Sequence, residues 1–420
     1  MSFGRCLLSL VLFGIACQPL SAGNWPQWRG PRGTGISEER GLPTQWSATE
    51  NVAWKVPLPD RGNSTPIVWG DKVFITAAIE KQNKRGLMCF NRADGKLLWE
   101  QYVTYEEKEP THSTNPYCSA SPVTDGQCIV AWYGSVGMAA YDFAGKELWR
   151  RDLGKFEHVW GNAASPILHG DLVINSCGPG LTAYLIALDK RTGKDVWKRE
   201  LPNAQSKKVE QFYGSWSTPV LRETATRKEL LLSLPLQLQA FDPDTGNDLW
   251  SCRGLTDLVY TSPLVGDDAV VAMSGYGGAA IGVRVGSSDK DDVTDSQRLW
   301  RVERNPQRVG SGVVVGEHVY ILNETGVAYC MELKTGKNLR EERLGSKTWA
   351  SMAYADGRLY IIQESGETLV LEPGTELKVI AKNPLERGDL TRGSLAFSDG
   401  QIFIRTYQKL YCIGERKAAE

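Results

Sequence analysis

The stretch from Ala187 to Trp197, Ala-Leu-Asp-Lys-Arg-Thr-Gly-Lys-Asp-Val-Trp, constrains the fold of this chain more than any other feature. An apolar strand end is followed by an Asp, a Thr-Gly turn, a Lys and a second strand that carries Trp. One such unit would be a hairpin, but this chain repeats it. The tryptophans recur every 45 to 53 residues, at Trp54, Trp99, Trp149, Trp197, Trp250 and Trp300.

The same four signals lie between successive tryptophans. The first is a strand opened by a small or polar residue and Pro, as in Ser64-Thr65-Pro66-Ile67 and Ala164-Ser165-Pro166-Ile167. A tight Gly/Asp turn, a β-rich second strand and a third strand follow, and the fourth strand carries Trp. Short strands with turns at this spacing predict repeated four-stranded antiparallel sheets.

Two further cycles lack the Trp, and the first of them has Leu339 in its place. The last cycle has three strands, and Val52–Val56 supplies the missing fourth. The sequence therefore predicts an all-β, eight-bladed β-propeller, because stacking blades in a ring buries both faces of each sheet. The last blade is expected to be closed by the N-terminal strand 52–56. The propeller domain is expected over 52–420.

Each residue type in the repeat has a structural role. The Gly of Thr-Gly suits a positive φ in the turn between the third and fourth strands. The Asp accepts backbone N–H bonds inside that turn, and the Trp fills space between blades and needs a partner for its indole N–H. Cys89, Cys330 and Cys412 occupy the slot of Ala187 and Ala240, so we expect them to be buried.

The segments before the propeller have their own character. Residues 1–22 are predicted to be a signal peptide, with Arg5 before a short apolar core and Ala22 at a cleavage site. Lipidation at Cys17 is the alternative, although Leu is absent three residues before it. Residues 23–51 are expected to be an irregular segment docked on the propeller by its tryptophans. The protein is therefore expected to be exported, to the periplasm or cell envelope of a bacterium.

Composition excludes some classes of protein. The formal net charge of −1 argues against a general nucleic-acid binder, and no later segment resembles a transmembrane helix. Seven cysteines follow Ala22, an odd number, and no Cys-x-x-Cys occurs, so zinc and redox chemistry lack support. Whether Cys118, Cys128, Cys177 and Cys252 form bridges is left open by the sequence.

The repeat resembles a known family. Residues 187–197 match the tryptophan-docking repeat of quinoprotein dehydrogenases and of PQQ-like propeller proteins, including the BamB assembly lipoproteins, and residues 240–250 match with Asn247 in place of Lys. The chain also resembles exported PQQ-like proteins of planctomycete-type bacteria. The resemblance implies the architecture. For activity it implies one alternative, a PQQ-dependent oxidoreductase that acts with calcium on an alcohol or sugar.

The expected quinoprotein site features are missing from the sequence. The adjacent Cys-Cys pair typical of those enzymes does not occur, and no Glu/Asn/Asp set for calcium maps onto a motif. The run Gly275–Ala280 imitates a dinucleotide loop, but a strand follows it, so we expect a hairpin there. The preferred expectation is that no cofactor binds.

The residues just before each first strand are the best functional candidates, because the loops into the innermost strands form one mouth of the channel. They are Arg61, Asn63, Asn115, Tyr117, His158, Trp160, Asn162, Tyr213, Trp216, Tyr260, Arg308, Trp349 and Arg392. Aromatic, amide and guanidinium groups suit a sugar, a quinone-like ring or a peptide loop. The competing interpretation is that they plug the channel and satisfy one another.

The sequence thus favours an exported, non-catalytic propeller that binds a protein partner or a small polar or aromatic ligand, including a glycan, at one face of the channel. A BamB-like assembly scaffold is one version of this hypothesis. The alternative is the PQQ-dependent quinoprotein oxidoreductase. No general base or nucleophile stands out among the candidate residues.

Overall fold

The fold is an eight-bladed β-propeller of four-stranded antiparallel sheets with almost no helix. The computed structural model describes residues 23–180, 182–201, 213–286 and 291–415. The predicted signal peptide and Cys17 lie outside the described residues. Among the described residues, no helix is long and apolar enough to span a membrane.

The strands follow the predicted cycle. In chain order they are β1 Val52–Pro57; blade 1, β2 Ile67–Trp69, β3 Lys72–Ile79, β4 Lys84–Asn91 and β5 Leu97–Thr104; blade 2, β6 Val123–Thr124, β7 Ile129–Trp132, β8 Met138–Tyr141 and β9 Glu147–Arg151; and blade 3, β10 Ile167–His169, β11 Leu172–Cys177, β12 Tyr184–Asp189 and β13 Asp195–Glu200. A short strand, β14 Gly214–Ser215, precedes blade 4.

Blade 4 consists of β15 Val220–Glu223, β16 Lys228–Leu234, β17 Gln237–Phe241 and β18 Asp248–Arg253, and β19 Leu258–Val259 then pairs in parallel with β14. The remaining strands are blade 5, β20 Leu264–Val265, β21 Ala269–Met273, β22 Ala280–Arg284 and β23 Arg298–Val302; blade 6, β24 Val313–Val315, β25 His318–Leu322, β26 Val327–Glu332 and β27 Asn338–Arg343; blade 7, β28 Ala353–Ala355, β29 Arg358–Ile362, β30 Thr368–Leu371 and β31 Val379–Asn383; and blade 8, β32 Ala396–Ser398, β33 Gln401–Arg405 and β34 Lys409–Ile413.

In blade 8, β1 pairs antiparallel with β34, so the sheet order is β1-β34-β33-β32. Helical structure in the described residues is limited to α1, Thr294–Gln297, and two single 3₁₀ turns, Glu80–Gln82 and Gly134–Val136. The Gly275–Ala280 run lies in the hairpin between β21 and β22, as predicted.

The repeated tryptophans lie between neighbouring blades. The indole N–H of Trp149 in blade 2 donates to the carbonyl of Lys190 in blade 3, at 2.8 Å. The Trp149 ring packs directly on Gly193 of the next turn. A Cβ atom on Gly193 would lie 2.7 Å from the ring, and the φ angle of Gly193 is +68°. Trp54, Trp99, Trp197 and Trp300 repeat both contacts on the turn that follows each of them.

Trp250 is the exception. Its indole N–H donates to Glu229 Oε1 within its own blade, at 3.1 Å. Blade 5 lacks the Thr-Gly turn that would receive this ring, because the connection between β22 and β23 is longer and carries α1.

The small polar residue before each first strand has a role that the sequence did not reveal. In each blade its backbone N–H donates to the hydroxyl of the equivalent residue in the next blade, over 2.8–3.1 Å. The eight residues form a closed ring around the channel: Thr65, Ser121, Ser165, Thr218, Ser262, Ser311, Ser351 and Ser394. We call this set the hydroxyl ring.

The segment 23–51 crosses the face opposite the predicted mouth. Trp25 is 1% exposed and pairs its backbone with Val68 of blade 1. Gly33 approaches Val220 of blade 4, and Ile36 bridges Tyr354 of blade 7. The segment therefore spans the axis and forms a floor beneath the channel.

The seven cysteines in the described residues are all free thiols and all buried. Cys89 and Cys412 lie directly opposite Trp99 and Trp54 on the adjacent strand, the same register that pairs Ala187 with Trp197. Burial raises the pKa of the Cys89 thiol to about 12. These cysteines are small packing residues, as predicted.

Candidate functional site

A cavity of about 520 Å³ occupies the channel and opens where the loops enter the first strands. Seven of the thirteen predicted residues line it: Asn63, Asn115, Trp160, Trp216, Tyr260, Trp349 and Arg392. They come from blades 1 to 5, 7 and 8, so the propeller symmetry brings together residues that are far apart in sequence. We call this cavity the cup.

Aromatic rings from blades 3, 4 and 5 form one wall of the cup. Trp216 and Tyr260 stack almost parallel, with centroids 4.8 Å apart and planes 6° apart. Trp160 tilts against both, with centroids 5.7 and 6.1 Å away, and Tyr276 continues the wall 4.9 Å from Tyr260. The Trp216 indole N–H is satisfied by the Gly161 carbonyl at 2.8 Å. The rings therefore form a fixed platform. Because Trp216 and Tyr260 cover one face of each other, a flat ligand stacks on a ring face that this pair leaves open.

The opposite wall is aromatic and cationic. The guanidinium of Arg392 lies 5.1 Å from the centroid of Trp349, and Lys347 Nζ lies 5.3 Å from the same ring. Both cations share one carboxylate: Arg392 pairs with Glu364, and Lys347 Nζ lies 3.3 Å from Glu364 Oε2. The Arg392 Nε–H has no partner although it is buried.

A polar turn at 112–115 leans over the cup from the long loop between β5 and β6. Asn63 donates to the Thr114 carbonyl at 3.0 Å, and Arg61 and Arg392 both donate to the Ser113 carbonyl. Asn115 donates to the Trp160 carbonyl at 2.6 Å. Side chains of three blades thus fix the turn, and it adds His112 and Thr114 to the lining.

The bottom of the cup is closed by the floor segment. Trp28 lines the cavity there, together with four members of the hydroxyl ring: Ser165, Thr218, Ser351 and Ser394. Each of these hydroxyl oxygens already accepts one backbone N–H bond. Because a hydroxyl has one proton to donate, the lower wall offers O–H donors to a ligand.

The other six predicted residues lie outside the lining. His158 is 5% exposed and packs behind the aromatic wall, edge-on to Trp216 at 4.9 Å. Burial lowers its pKa to about 4, so the imidazole is neutral at pH 7. Tyr213 is buried as well. Arg308 pairs with Glu324 at 3.1 Å at the rim, and Arg61 pairs with Glu80 at 3.0 Å.

Tyr117 and Asn162 belong to a separate buried polar cluster built around Glu109. Asn162 Nδ2 donates to Glu109 Oε1 at 2.9 Å, and the Tyr117 hydroxyl donates to the Glu109 carbonyl at 2.6 Å. Arg85 lies over the Tyr117 ring at 3.3 Å. Burial raises the pKa of Glu109. This cluster anchors the base of the loop that carries the 112–115 turn.

Sequence reasoning missed Trp28, His112, Thr114 and Tyr276 as lining residues. Tyr276 could have been predicted, since it lies in a hairpin between second and third strands, and such hairpins are on the same face as the loops that lead into first strands. Trp28 had none, because an irregular segment does not reveal its path across a face.

The lining is rich in groups that can bind a ligand. The described residues of the lining include no Asp or Glu, and the imidazole of His112 places Nδ1 2.7 Å from the Thr114 hydroxyl. Stacking surfaces, amides, hydroxyls and one guanidinium hold a ring and its polar edges.

A PQQ–calcium pair fits this donor set only in part. The platform and Arg392 suit a flat anionic ring, but calcium prefers carboxylate oxygens among its ligands, and the described residues of the lining supply none. Nor do the residues that the structure describes include a group of three or more His, Cys, Asp or Glu side chains placed to hold a metal. The calcium half of the pair does not fit, and we derive no step through it.

Comparison with known proteins defines the class. The family model described as outer membrane protein assembly factor BamB matches residues 35–184 and 138–375. The chain belongs to this family, and its fold is that of the PQQ-like propellers.

Individual relatives are more distant. Quinohemoprotein alcohol dehydrogenase ADH-IIG of Pseudomonas putida is 26% identical over 196 residues, which cover 42% of this chain and 25% of that enzyme. The alignment thus spans a quarter of the length of this curated relative. Among solved structures, quinohemoprotein alcohol dehydrogenase from Comamonas testosteroni superposes with a TM-score of 0.67 at 11% identity, covering 95% of this chain and 82% of the other.

BamB from Moraxella catarrhalis superposes with a TM-score of 0.54 at 16% identity, covering 79% of this chain and 93% of the other. At these identities the superpositions show the fold alone. The activity and partners of this chain must be argued from its own cup.

Proposed function

We propose that this protein is an exported, non-catalytic binding protein of the cell envelope that holds a small polar ligand with a flat face in the cup. The export rests on the signal-like residues 1–22 and on the BamB family match. The binding role rests on the cup.

The observation that carries the proposal is the aromatic platform at an open mouth. Trp160, Trp216 and Tyr260 present their rings to a cavity of about 520 Å³, a size typical of small-molecule sites. Trp349 faces them from blade 7. A sugar or an aromatic ring stacks on such surfaces while amides and hydroxyls bind its polar edge.

The test is a binding screen of the purified protein against a glycan panel and against small molecules from envelope extract. Replacing Trp160, Trp216 and Arg392 together by Ala should weaken binding at least about tenfold, a loss of about 1.4 kcal/mol. The matched control is Leu148→Ala with Arg340→Gln, which alters exposed residues of outer strands. Unchanged binding by a folded triple variant would refute the cup as the site.

The quinoprotein alternative is favoured by one observation, the 26% identity to quinohemoprotein alcohol dehydrogenase ADH-IIG over 196 residues. Its test is direct: protein mixed with PQQ and calcium should show bound-cofactor absorbance and reduce an artificial dye with an alcohol or a sugar. Absence of both would eliminate this alternative, and turnover would overturn the non-catalytic proposal.

A protein partner is the other form of the binding hypothesis, and the mouth rim favours it. Val159, Leu236 and Leu390 lie in loops on the mouth face and are 41–45% exposed. A BamB-like scaffold would use these loops to dock a partner. Replacing all three by Ser should abolish a partner interaction and leave small-ligand binding unchanged, so the two forms can be separated.

A further inference from the structure

Among the described residues, two arginines near the channel are buried with no carboxylate at salt-bridge distance, although Asp60 lies close enough to Arg405 to oppose the lowering of its pKa by burial. Arg29 is 2% exposed and Arg405 is 1% exposed. Within the described ranges, neither guanidinium forms a salt bridge. Charged side chains are rarely buried unpaired, because removing an unpaired charge from water costs several kcal/mol.

Arg29 lies under the cup floor. Its guanidinium is 5.6 Å from the ring centroid of Trp28, the residue that closes the cup. It donates to the carbonyls of Thr34 and Gly312, both at 2.5 Å, while its Nε and Nη1 protons have no partner. Desolvation lowers the pKa of Arg29 to about 9, so it keeps its charge at pH 7.

Arg405 lies behind the wall between blades 8 and 1. It donates to the Ser64 hydroxyl and to the Thr76 carbonyl, and its Nε and Nη2 protons have no partner. Ser64 directly precedes Thr65 of the hydroxyl ring. The pKa of Arg405 is lowered by burial to about 10, and this residue also remains charged at pH 7.

The cup itself adds to this charge. Arg392 lines it, and Arg392 and Lys347 share the single carboxylate of Glu364. Among the described residues, the lining includes no Asp or Glu, and the hydroxyl ring offers protons. Arg29 and Arg405 are buried cations, and one excess cation lies at the wall. Because the described part of the lining adds no carboxylate, these groups give the cup a positive potential, although the chain as a whole has a net charge of −1.

We infer that the cup selects an anionic ligand, a ring that bears a carboxylate, sulfonate or similar group, and that Arg29 and Arg392 supply the selectivity. The ring stacks on the platform, and the anionic group lies toward Arg392 and the hydroxyl ring. The inference rests on the proposed function and adds the charge of the ligand to it.

A matched pair of fluorescent probes tests the inference. Anilinonaphthalene sulfonate and uncharged phenylnaphthylamine share their rings and differ by the sulfonate. We expect the sulfonate to bind about tenfold more tightly at low salt, which is about 1.4 kcal/mol. Raising the salt concentration should reduce the difference in affinity between the two probes, since screening weakens charge interactions. Trp160→Ala should weaken both probes and thereby locate them in the cup.

Variants separate charge from packing. Arg392→Gln should reduce affinity for the sulfonate several-fold more than affinity for the neutral probe, whereas Arg340→Gln on an outer strand should change neither. Arg29→Met should also reduce affinity for the sulfonate, whereas Arg29→Lys, which keeps the positive charge, should retain the preference for the sulfonate. Thermal unfolding of each variant establishes that it is folded.

The outcomes separate the two proposals. Equal affinity for both probes, with Trp160→Ala weakening each, would overturn the inference and leave the binding cup intact. Binding of either probe that Trp160→Ala does not affect would overturn the cup as a ligand site.

Discussion

In five of the eight blades, a single glycine in the turn between the third and fourth strands decides how closely the neighbouring tryptophan docks. Gly193 and Gly170 both have positive φ, +68° and +57°, but only Gly193 has a ring against it. We predict that Gly193→Ala lowers the free energy of unfolding by several kcal/mol, because strain at positive φ adds to a clash with Trp149. Gly170→Ala should cost about 1–2 kcal/mol, the strain alone.

Chemical denaturation of both variants measures the difference. Equal losses of unfolding free energy in the two variants would show that the Trp149 contact does not constrain the turn. Glycine would then be required at position 193 only for its positive φ.

His158 makes the aromatic wall sensitive to acid. Burial lowers its pKa to about 4, whereas an unfolded histidine titrates near 6.5. The unfolded state therefore binds the proton first, and stability falls as pH drops from about 6.5 to 4. The loss is up to about 3 kcal/mol, since each pKa unit is about 1.4 kcal/mol.

The measurement is the melting temperature as a function of pH for wild type and His158→Gln. We expect a shallower decline between pH 6.5 and 4 in the variant. Parallel curves would mean that His158 is protonated at little cost and is not buried as described.

At the scale of elements, the hydroxyl ring connects every blade to the next. We predict that Ser165→Ala costs about 1–3 kcal/mol, because the buried N–H of Ser121 loses its acceptor. Ser165→Thr is the matched control, since Thr65 and Thr218 occupy equivalent positions, each also followed by Pro.

Urea unfolding compares the two variants. If Ser165→Thr loses as much unfolding free energy as Ser165→Ala, the effect is due to side-chain volume rather than to the hydrogen bond.

The elements also show what the sequence could predict. Strand order, blade number, the docking tryptophans and the Gly275–Ala280 hairpin were predictable because each repeat encodes its own turn chemistry and periodicity. The hydroxyl ring was not, although its residues were visible as a small-polar-Pro signal. Seven of its hydrogen bonds join residues 40 to 56 positions apart, and the eighth joins Ser394 to Thr65, 329 positions away. Local patterns contain no information on such contacts.

At the scale of the whole molecule, symmetry explains why the cup could be predicted in part. Any residue just before a first strand lies near the mouth, so Trp160, Trp216, Tyr260 and Trp349 could be selected together. Symmetry does not say which side chain reaches the axis. His158 packs behind the wall, Tyr213 is buried, and Tyr117 and Asn162 hydrogen-bond to Glu109 instead.

The ring also gives the molecule two unlike faces. The docking turns and the floor segment occupy one face, and the open cup occupies the other. The repeat around Ala187–Trp197 therefore builds the scaffold, while ligand contacts come from loops that the repeat leaves free to vary.

The most direct test of this account is a crystal structure with the tightest ligand from the binding screen. The account predicts electron density for the ligand inside the cup, with its flat face on the Trp216–Tyr260 platform and a polar group toward Arg392. Density for that ligand on any other surface, with the cup filled only by solvent, would contradict it.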